Sequence, residues 1–231
     1  MRKIPLLIAF LAISVPASAQ VQGLPGAAPA QRPDLSGNWI ANGGKTLFGE
    51  WHLTDEGARR FKAYDFKKDD PALKCIGTSW TRVWLNPNVV VRITQGDDVV
   101  RLQYEWMDID RRVPIVDPAT LHPKRSNIPG MPGLGYSAAW YDGNALVVET
   151  SDIEPGYVST MQEWAGLPQS RMMRTIERFT RTGDLLTIQI THVDPAMYRD
   201  PLIVTITYPR TKFELMDYGC NPDDAQVVAP R

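Results

Sequence analysis

Short runs of β-branched and aromatic residues recur along this chain in pairs, each pair separated by a turn sequence. Residues 89–95 and 99–107 flank Gly96-Asp97-Asp98, and two further pairs flank Asp142-Gly143-Asn144 and Arg181-Thr182-Gly183-Asp184. Such pairs predict β-hairpins, and consecutive hairpins build an antiparallel meander. A meander of about eight to ten strands removes its exposed edges by curling closed. We therefore expect an all-β fold, either a lipocalin-like barrel or a half-barrel, with a two-sheet β-sandwich as the alternative.

The remaining predicted elements complete this meander. Further strands are predicted at residues 136–141, 145–150, 171–180, 185–193, 202–208 and 212–218. One short helix is predicted over residues 54–66, because the Thr54 hydroxyl can accept hydrogen bonds from the first-turn amides and acids follow it at Asp55 and Glu56. Gly57 argues against this helix.

Alternation along the strands places every second side chain on a common face, which we expect to point into the barrel. That face is aliphatic and aromatic with a few ionisable groups: Val100, Leu102, Tyr104, Trp106, Tyr136, Ala138, Trp140, Met173, Thr175, Glu177, Phe179, Leu186, Ile188, Ile190 and His192. An interior of this mixture suits a pocket for a small ligand.

The first 19 residues have the pattern of a secretory signal peptide. Arg2 and Lys3 precede an apolar run over residues 4–15, and Ala17-Ser18-Ala19 offers a cleavage site. Residues 20–32 are rich in Gly, Pro, Ala and Gln and predict a flexible leader, followed by a single β domain over residues 33–231. We expect a periplasmic or secreted protein without membrane insertion once the signal is removed. With 25 Lys and Arg against 26 Asp and Glu, a nucleic-acid partner is not expected.

Export bears on the two cysteines of the chain, Cys75 and Cys220. Thiols in an oxidising compartment tend to pair, so we expect a disulfide that ties the early part of the domain to its end. Two buried free thiols, or a pair of metal ligands, are the alternatives.

Several motifs are spread over nearly the whole predicted domain. They are residues 34–39 (DLSGNW), 70–75 (DPALKC), His122-Pro123, the block 135–150, 176–179 (IERF), and Asp194-Pro195 with Tyr198 and Pro201. In this order they resemble a widespread family of exported bacterial β-rich proteins. The resemblance implies an exported β-rich domain with paired cysteines and no particular reaction. Tyr136 and Ala139 stand where the family has a histidine and a glycine, so any activity of that histidine does not transfer.

The ionisable residues of the expected interior and rim are the candidates for acid–base chemistry. Burial among apolar side chains would raise the pKa of Glu177 or lower that of His192, toward values that a general base can use near neutral pH. Asp108, Arg111, Arg112 and His122 lie on or near a predicted rim segment. An arginine there could stabilise an oxyanion or hold a substrate carboxylate. Each of these residues also has a structural interpretation, as an ion pair or as a hydrogen-bonded core side chain.

The candidate ligand contacts are mostly aromatic: Trp106, Trp140, Tyr104, Tyr136, Arg111 and Met173. His52, His122 and His192 are too widely spaced to form a recognisable metal motif, and no cofactor motif is present, so neither a metal nor a cofactor is expected.

Three functions are compatible with these patterns. The first is an exported barrel that binds a small apolar or aromatic molecule in its interior. The second is a cofactor-independent lyase, isomerase or hydrolase for a hydrophobic substrate, using Glu177 or His192 as base and Arg111 or Arg112 as clamp. The third is a structural or interaction protein of the cell envelope that uses residues 113–134 as a contact loop, which an exposed apolar patch there would favour.

Overall fold

The computed structural model describes residues 32–41, 45–77, 79–121, 127–160 and 162–227. The predicted signal peptide, nearly all of the predicted leader, and His122 lie outside these ranges. Within them, no helix is both long and apolar enough to cross a membrane.

Twelve strands and four short helices form the described part of the chain. In chain order they are β1 (Gly37–Ile40), β2 (Thr46–Phe48), α1 (Asp55–Ala63), α2 (Phe66–Asp69), α3 (Trp80–Trp84), β3 (Val90–Gln95), β4 (Val99–Tyr104), β5 (Ile109–Pro114), β6 (Tyr136–Asp142), β7 (Ala145–Ser151), β8 (Gly156–Ser159), β9 (Leu167–Gln169), β10 (Arg174–Thr182), β11 (Leu185–Val193), β12 (Leu202–Pro209) and α4 (Pro222–Val227). The three predicted hairpin turns join β3 to β4, β6 to β7 and β10 to β11, as expected.

The strands form two larger sheets whose edges meet. One sheet has the order β1-β3-β4-β5 and the other β2-β12-β11-β10-β7-β6. At one seam Ile115 bridges Ala139, where the Val116 amide donates to the Ala139 carbonyl (2.8 Å). At the other seam Trp39 bridges Arg210, and the Thr211 amide donates to the Asn38 carbonyl (3.0 Å). The two sheets therefore follow one another around a barrel, which confirms the predicted fold class.

Helix α1 confirms the predicted short helix and explains its glycine. The Thr54 hydroxyl accepts from the Gly57 amide (3.0 Å), as expected of a cap. A Cβ at Gly57 would lie 2.2 Å from the Met197 carbonyl oxygen, so the close approach of the turn after β11 requires glycine there.

The predicted strand at residues 212–218 is wrong. No described strand pairs with this segment, and side chains satisfy its backbone instead: Asn38 Nδ2 donates to the Phe213 carbonyl (2.9 Å). Strand β4 also ends at Tyr104, earlier than predicted. Met107 and Asp108 have φ of 58° and 52°, a left-handed conformation that does not continue a strand.

Helix α3, which the sequence patterns did not predict, fills the barrel. All five of its residues are buried. The Trp84 ring packs against Tyr104 of β4, Phe179 of β10 and Tyr208 of β12, with ring centroids 4.9, 5.8 and 5.2 Å away. Because these strands lie on different sides of the ring, α3 occupies the space between them.

The predicted inward faces of β4, β10 and β11 are buried, with every named side chain of these strands at most 1% exposed. Strand β6 is the exception. Its inward residues are Ser137 and Ala139, since Ser137 contacts Arg111 of β5 and Ala139 belongs to the core. Tyr136, Ala138 and Trp140 alternate with them and take the outer face, so that prediction is wrong. Small residues inside leave room for the Arg111 side chain.

The expected disulfide between Cys75 and Cys220 is present. It joins residues 145 positions apart and fixes the segment after α2 to the chain that follows β12.

Candidate functional site

A buried ion pair lies at the centre of the barrel. Arg111 of β5 donates from Nη2 to Oε2 of Glu177 on β10 at 2.5 Å, and both side chains have zero exposure. The other carboxylate oxygen of Glu177 accepts from Trp84 Nε1 (2.8 Å). Helix α3 thus supplies the second hydrogen bond that a buried carboxylate needs.

The remaining donors of Arg111 are also used within the barrel. Nε donates to Ser137 Oγ (3.1 Å) and Nη1 to the Tyr104 hydroxyl (3.4 Å), and Thr150 Oγ1 lies 2.8 Å from Nη2. The guanidinium also lies 3.5 Å from the centre of the Trp80 ring. Burial opposes its charge, but neighbouring Glu177 raises the pKa of Arg111 above its ordinary value. Arg111 therefore keeps its positive charge inside the barrel.

His192 lies on the same inward face but has different partners. The Leu202 carbonyl can only accept, so Nδ1 of His192 donates to it (3.1 Å), and Nε2 accepts from the Thr81 hydroxyl (2.8 Å). Burial lowers the pKa of His192 to about 4, so the ring is neutral near pH 7. No hydrogen bond of His192 or of Glu177 connects these two residues.

Asp108 and Arg112, the other predicted catalytic residues within the described ranges, lie outside the barrel. The Asp108 carboxylate accepts from the Tyr218 and Gly219 amides (2.7 and 3.1 Å), which anchors the chain after β12. Arg112 is exposed and pairs with Asp110 (3.4 Å). The structure brings together Tyr104, Arg111 and Glu177, and leaves Asp108 and Arg112 apart from them.

The predicted ligand contacts are also dispersed. Trp106 is 2% exposed, with the Arg82 guanidinium 4.8 Å from its ring centre, and Met173 is buried in the core. Tyr136 and Trp140 lie on the outer face of β6. The interior around α3 is thus packed with the protein's own side chains.

A cavity of about 550 Å³ lies instead at the rim of the barrel. We call it the rim pocket. Three separate stretches form it, namely residues 60–77, 130–133 and 154–157, and its lining includes Arg60, Lys68, Asp69, Lys74, Ile76, Met131, Glu154 and Tyr157. The sequence patterns missed this site, since no single stretch carries a motif for it.

Tyr157 forms the aromatic wall of the rim pocket. Its ring packs edge-to-face on Tyr64, with centroids 4.8 Å apart, and the Arg60 guanidinium lies 5.8 Å from its centre. The Tyr157 hydroxyl donates to Asp69 Oδ2 (3.4 Å). Burial and then the charge of Asp69 raise the pKa of Tyr157, so the phenol keeps its proton at neutral pH.

The charge balance of the rim pocket favours anions. Three cations line it against two carboxylates, and Glu154 is already paired with Arg171 (3.0 Å). Lys68 pairs loosely with Asp65 (3.5 Å). Lys74 is exposed and has no ion pair within the described part of the chain.

Comparison with known proteins adds little. No protein-family model and no curated protein matches the chain. Among solved structures the chain is similar to apo lipid-binding protein 8 of Caenorhabditis elegans, at 6% identity over 76% of this chain and 94% of that one, with a TM-score of 0.37. It is also similar to a mutant of the fluorescent protein UnaG, at 13% identity over 78% and 97%, with a TM-score of 0.34. At these scores neither likeness carries an argument here.

Proposed function

We propose that this chain is an exported β-barrel protein that binds a small amphipathic molecule with an anionic end in the rim pocket. The observation that carries the proposal is the pairing of an apolar and aromatic wall, made by Ile76, Met131 and Tyr157, with the cations Arg60, Lys68 and Lys74. Its volume, about 550 Å³, is within the range of about 300–1,000 Å³ usual for small-molecule sites.

The proposal moves the expected ligand from the interior to the rim. Trp80, Trp84 and Arg111 occupy the centre of the barrel, each with zero exposure. An acid–base reaction at Glu177 or His192 would require substrate to reach them. Both side chains are fully buried, have partners of their own and do not line the rim pocket.

Export to the periplasm or the exterior is part of the same proposal. It is supported by the basic, apolar and small-residue pattern of residues 1–19 and by the disulfide between Cys75 and Cys220. Mass spectrometry of the protein recovered from expressing cells would test it, since cleavage after Ala19 leaves Gln20 as the first residue.

Calorimetric titration with decanoate and with decanol would test the ligand class. The two probes share an apolar chain, so we expect decanoate to bind more tightly because of the cations. Lys74→Glu should weaken decanoate binding about three- to tenfold, as reversal of an exposed charge allows, and leave decanol unchanged. Lys62→Glu is the matched control, because Lys62 is exposed on α1 but does not line the pocket.

Two results would refute the proposal. The first is equal binding of decanoate and decanol. The second is a loss of decanoate binding as large in Lys62→Glu as in Lys74→Glu, which would mean that overall charge and not the rim pocket attracts the anion.

A further inference from the structure

A groove separate from the rim pocket lies on the outside of the four-stranded sheet. It lies beneath residues 211–219, and we call these residues the C-terminal strap. The strap is fixed at both ends. Near its start Asn38 holds the Phe213 carbonyl, and at its end the Asp108 carboxylate accepts from the Tyr218 and Gly219 amides. The disulfide of Cys220 follows immediately. The strap therefore holds its side chains in place without belonging to a sheet.

The apolar side chains of the strap face this groove and the solvent. Phe213 and Met216 are 66% and 67% exposed. With Ile40 of β1 and Val90 of β3, they wall a cavity of about 380 Å³. Two large apolar side chains held over such a cavity make an apolar binding surface that the described part of the chain leaves uncovered.

Glu105 gives this groove its chemical character. It lines the groove and is only 8% exposed, so its carboxylate is largely withdrawn from water. Oε2 accepts from the Val90 amide (3.1 Å), whereas Oε1 accepts no hydrogen bond from any described residue. Oε1 is not among the fully enclosed polar atoms without a partner, so a guest in the groove can reach it as a hydrogen-bond partner.

No cation among the described residues lines the groove to supply that partner. The second acid of the lining, Glu214, is already bound by Arg92 Nη2 at 2.5 Å. Glu105 is therefore the acid of this lining that has no ion pair among the described residues.

We propose that the groove binds a small organic ammonium ion with an apolar body. The ammonium group would donate to Glu105 Oε1, and the apolar body would pack between Phe213 and Met216. Aromatic and thioether groups both suit a cationic, partly apolar guest. An anion would meet two acids, Glu105 and Glu214, and no cation among the described lining residues, so this groove and the rim pocket select ligands of opposite charge.

Titration with phenethylammonium and with 2-phenylethanol, which differ in charge and not in shape, would test the proposal. We expect the ammonium ion to bind at least about tenfold more tightly, as a charged hydrogen bond allows. Glu105→Gln should remove this preference, because the amide can still accept from the Val90 amide but carries no charge. Asp217→Asn is the matched control and should preserve the preference, because Asp217 is exposed on the strap but does not line the groove.

Equal binding of the two probes by the wild-type protein would overturn the proposal, and so would a preference that survives in Glu105→Gln. Should Glu105→Gln unfold, Phe213→Ala provides the second test, since its exposed ring lines the groove and its bonded carbonyl is unchanged. It should weaken both probes at least several-fold, and unchanged binding would refute the site. Lys74→Glu should leave phenethylammonium binding intact, which separates this groove from the rim pocket.

Discussion

Removing the charge of Glu177 should destabilise the barrel strongly, because Arg111 would then be left without its counter-ion. Glu177→Gln is the sharpest perturbation. Its amide oxygen can still accept from Trp84 Nε1, so only the 2.5 Å ion pair to Arg111 is lost. Breaking one side of a buried pair costs about 3–5 kcal/mol, a large part of the 5–15 kcal/mol typical of a domain.

The double variant Arg111→Met/Glu177→Gln separates the charge from the packing. It removes both charges, and the Ser137 and Thr150 hydroxyls can still bond each other, 2.9 Å apart in the native protein. We expect the double variant to lose at most about 2 kcal/mol, less than either single variant. Because the double variant loses less than Arg111→Met alone, the two residues would then be coupled by at least about 3 kcal/mol, the upper end of the range for directly contacting groups.

Urea unfolding at pH 7, with the disulfide intact, measures all four proteins of this cycle. A loss of under about 1 kcal/mol in Glu177→Gln would refute the reasoning, because a carboxylate so easily neutralised would be open to water. That result would also restore Glu177 as a candidate general base.

Three further predictions concern the rest of the fold. Burial lowers the pKa of His192 from 6.5 to about 4, so as pH falls through this range the unfolded chain binds a proton that the folded chain does not. The free energy of unfolding should therefore drop by up to about 3 kcal/mol as the pH falls. In urea unfolding curves between pH 7 and 4.5, His192→Gln should make the free energy of unfolding less dependent on pH. Cys75→Ser/Cys220→Ser should lower stability by about 2–5 kcal/mol; an unchanged urea midpoint would contradict this. Gly57→Ala should lower the free energy of unfolding by at least about 1 kcal/mol, although alanine has the better helix propensity. A thermally stabilised variant would show that α1 does not approach the Met197 carbonyl closely.

The strands of the three hairpins could be predicted because their signals are local. Alternation and turn residues lie within each hairpin, so β3–β4, β6–β7 and β10–β11 follow from short windows of sequence. Helix α3 could not be predicted this way. It has five residues, too few for a periodic pattern, and only its Ser79 cap, which accepts from the Arg82 amide, is a local signal.

The orientation of β6 shows a second limit. Both of its faces consist of small or aromatic residues, so hydrophobic alternation does not choose between them. The face that points inward depends on Arg111 of β5, whose guanidinium donates to the Ser137 hydroxyl. Long-range packing of this kind is invisible in any single segment.

The role of a residue is harder to predict than its position. Glu177 was expected inside the barrel and Arg111 at its rim, and the structure places both inside and in contact. Whether such a pair can meet a substrate depends on what else fills the barrel, and α3 places Trp80 and Trp84 against it. Because the interior is occupied by its own helix, open cavities lie where chain segments leave the ring, at the rim pocket and beneath the C-terminal strap. Those segments are irregular, and their charged side chains set which ligands each cavity can bind. The rim pocket is lined by three cations, and the groove beneath the strap is lined by two acids.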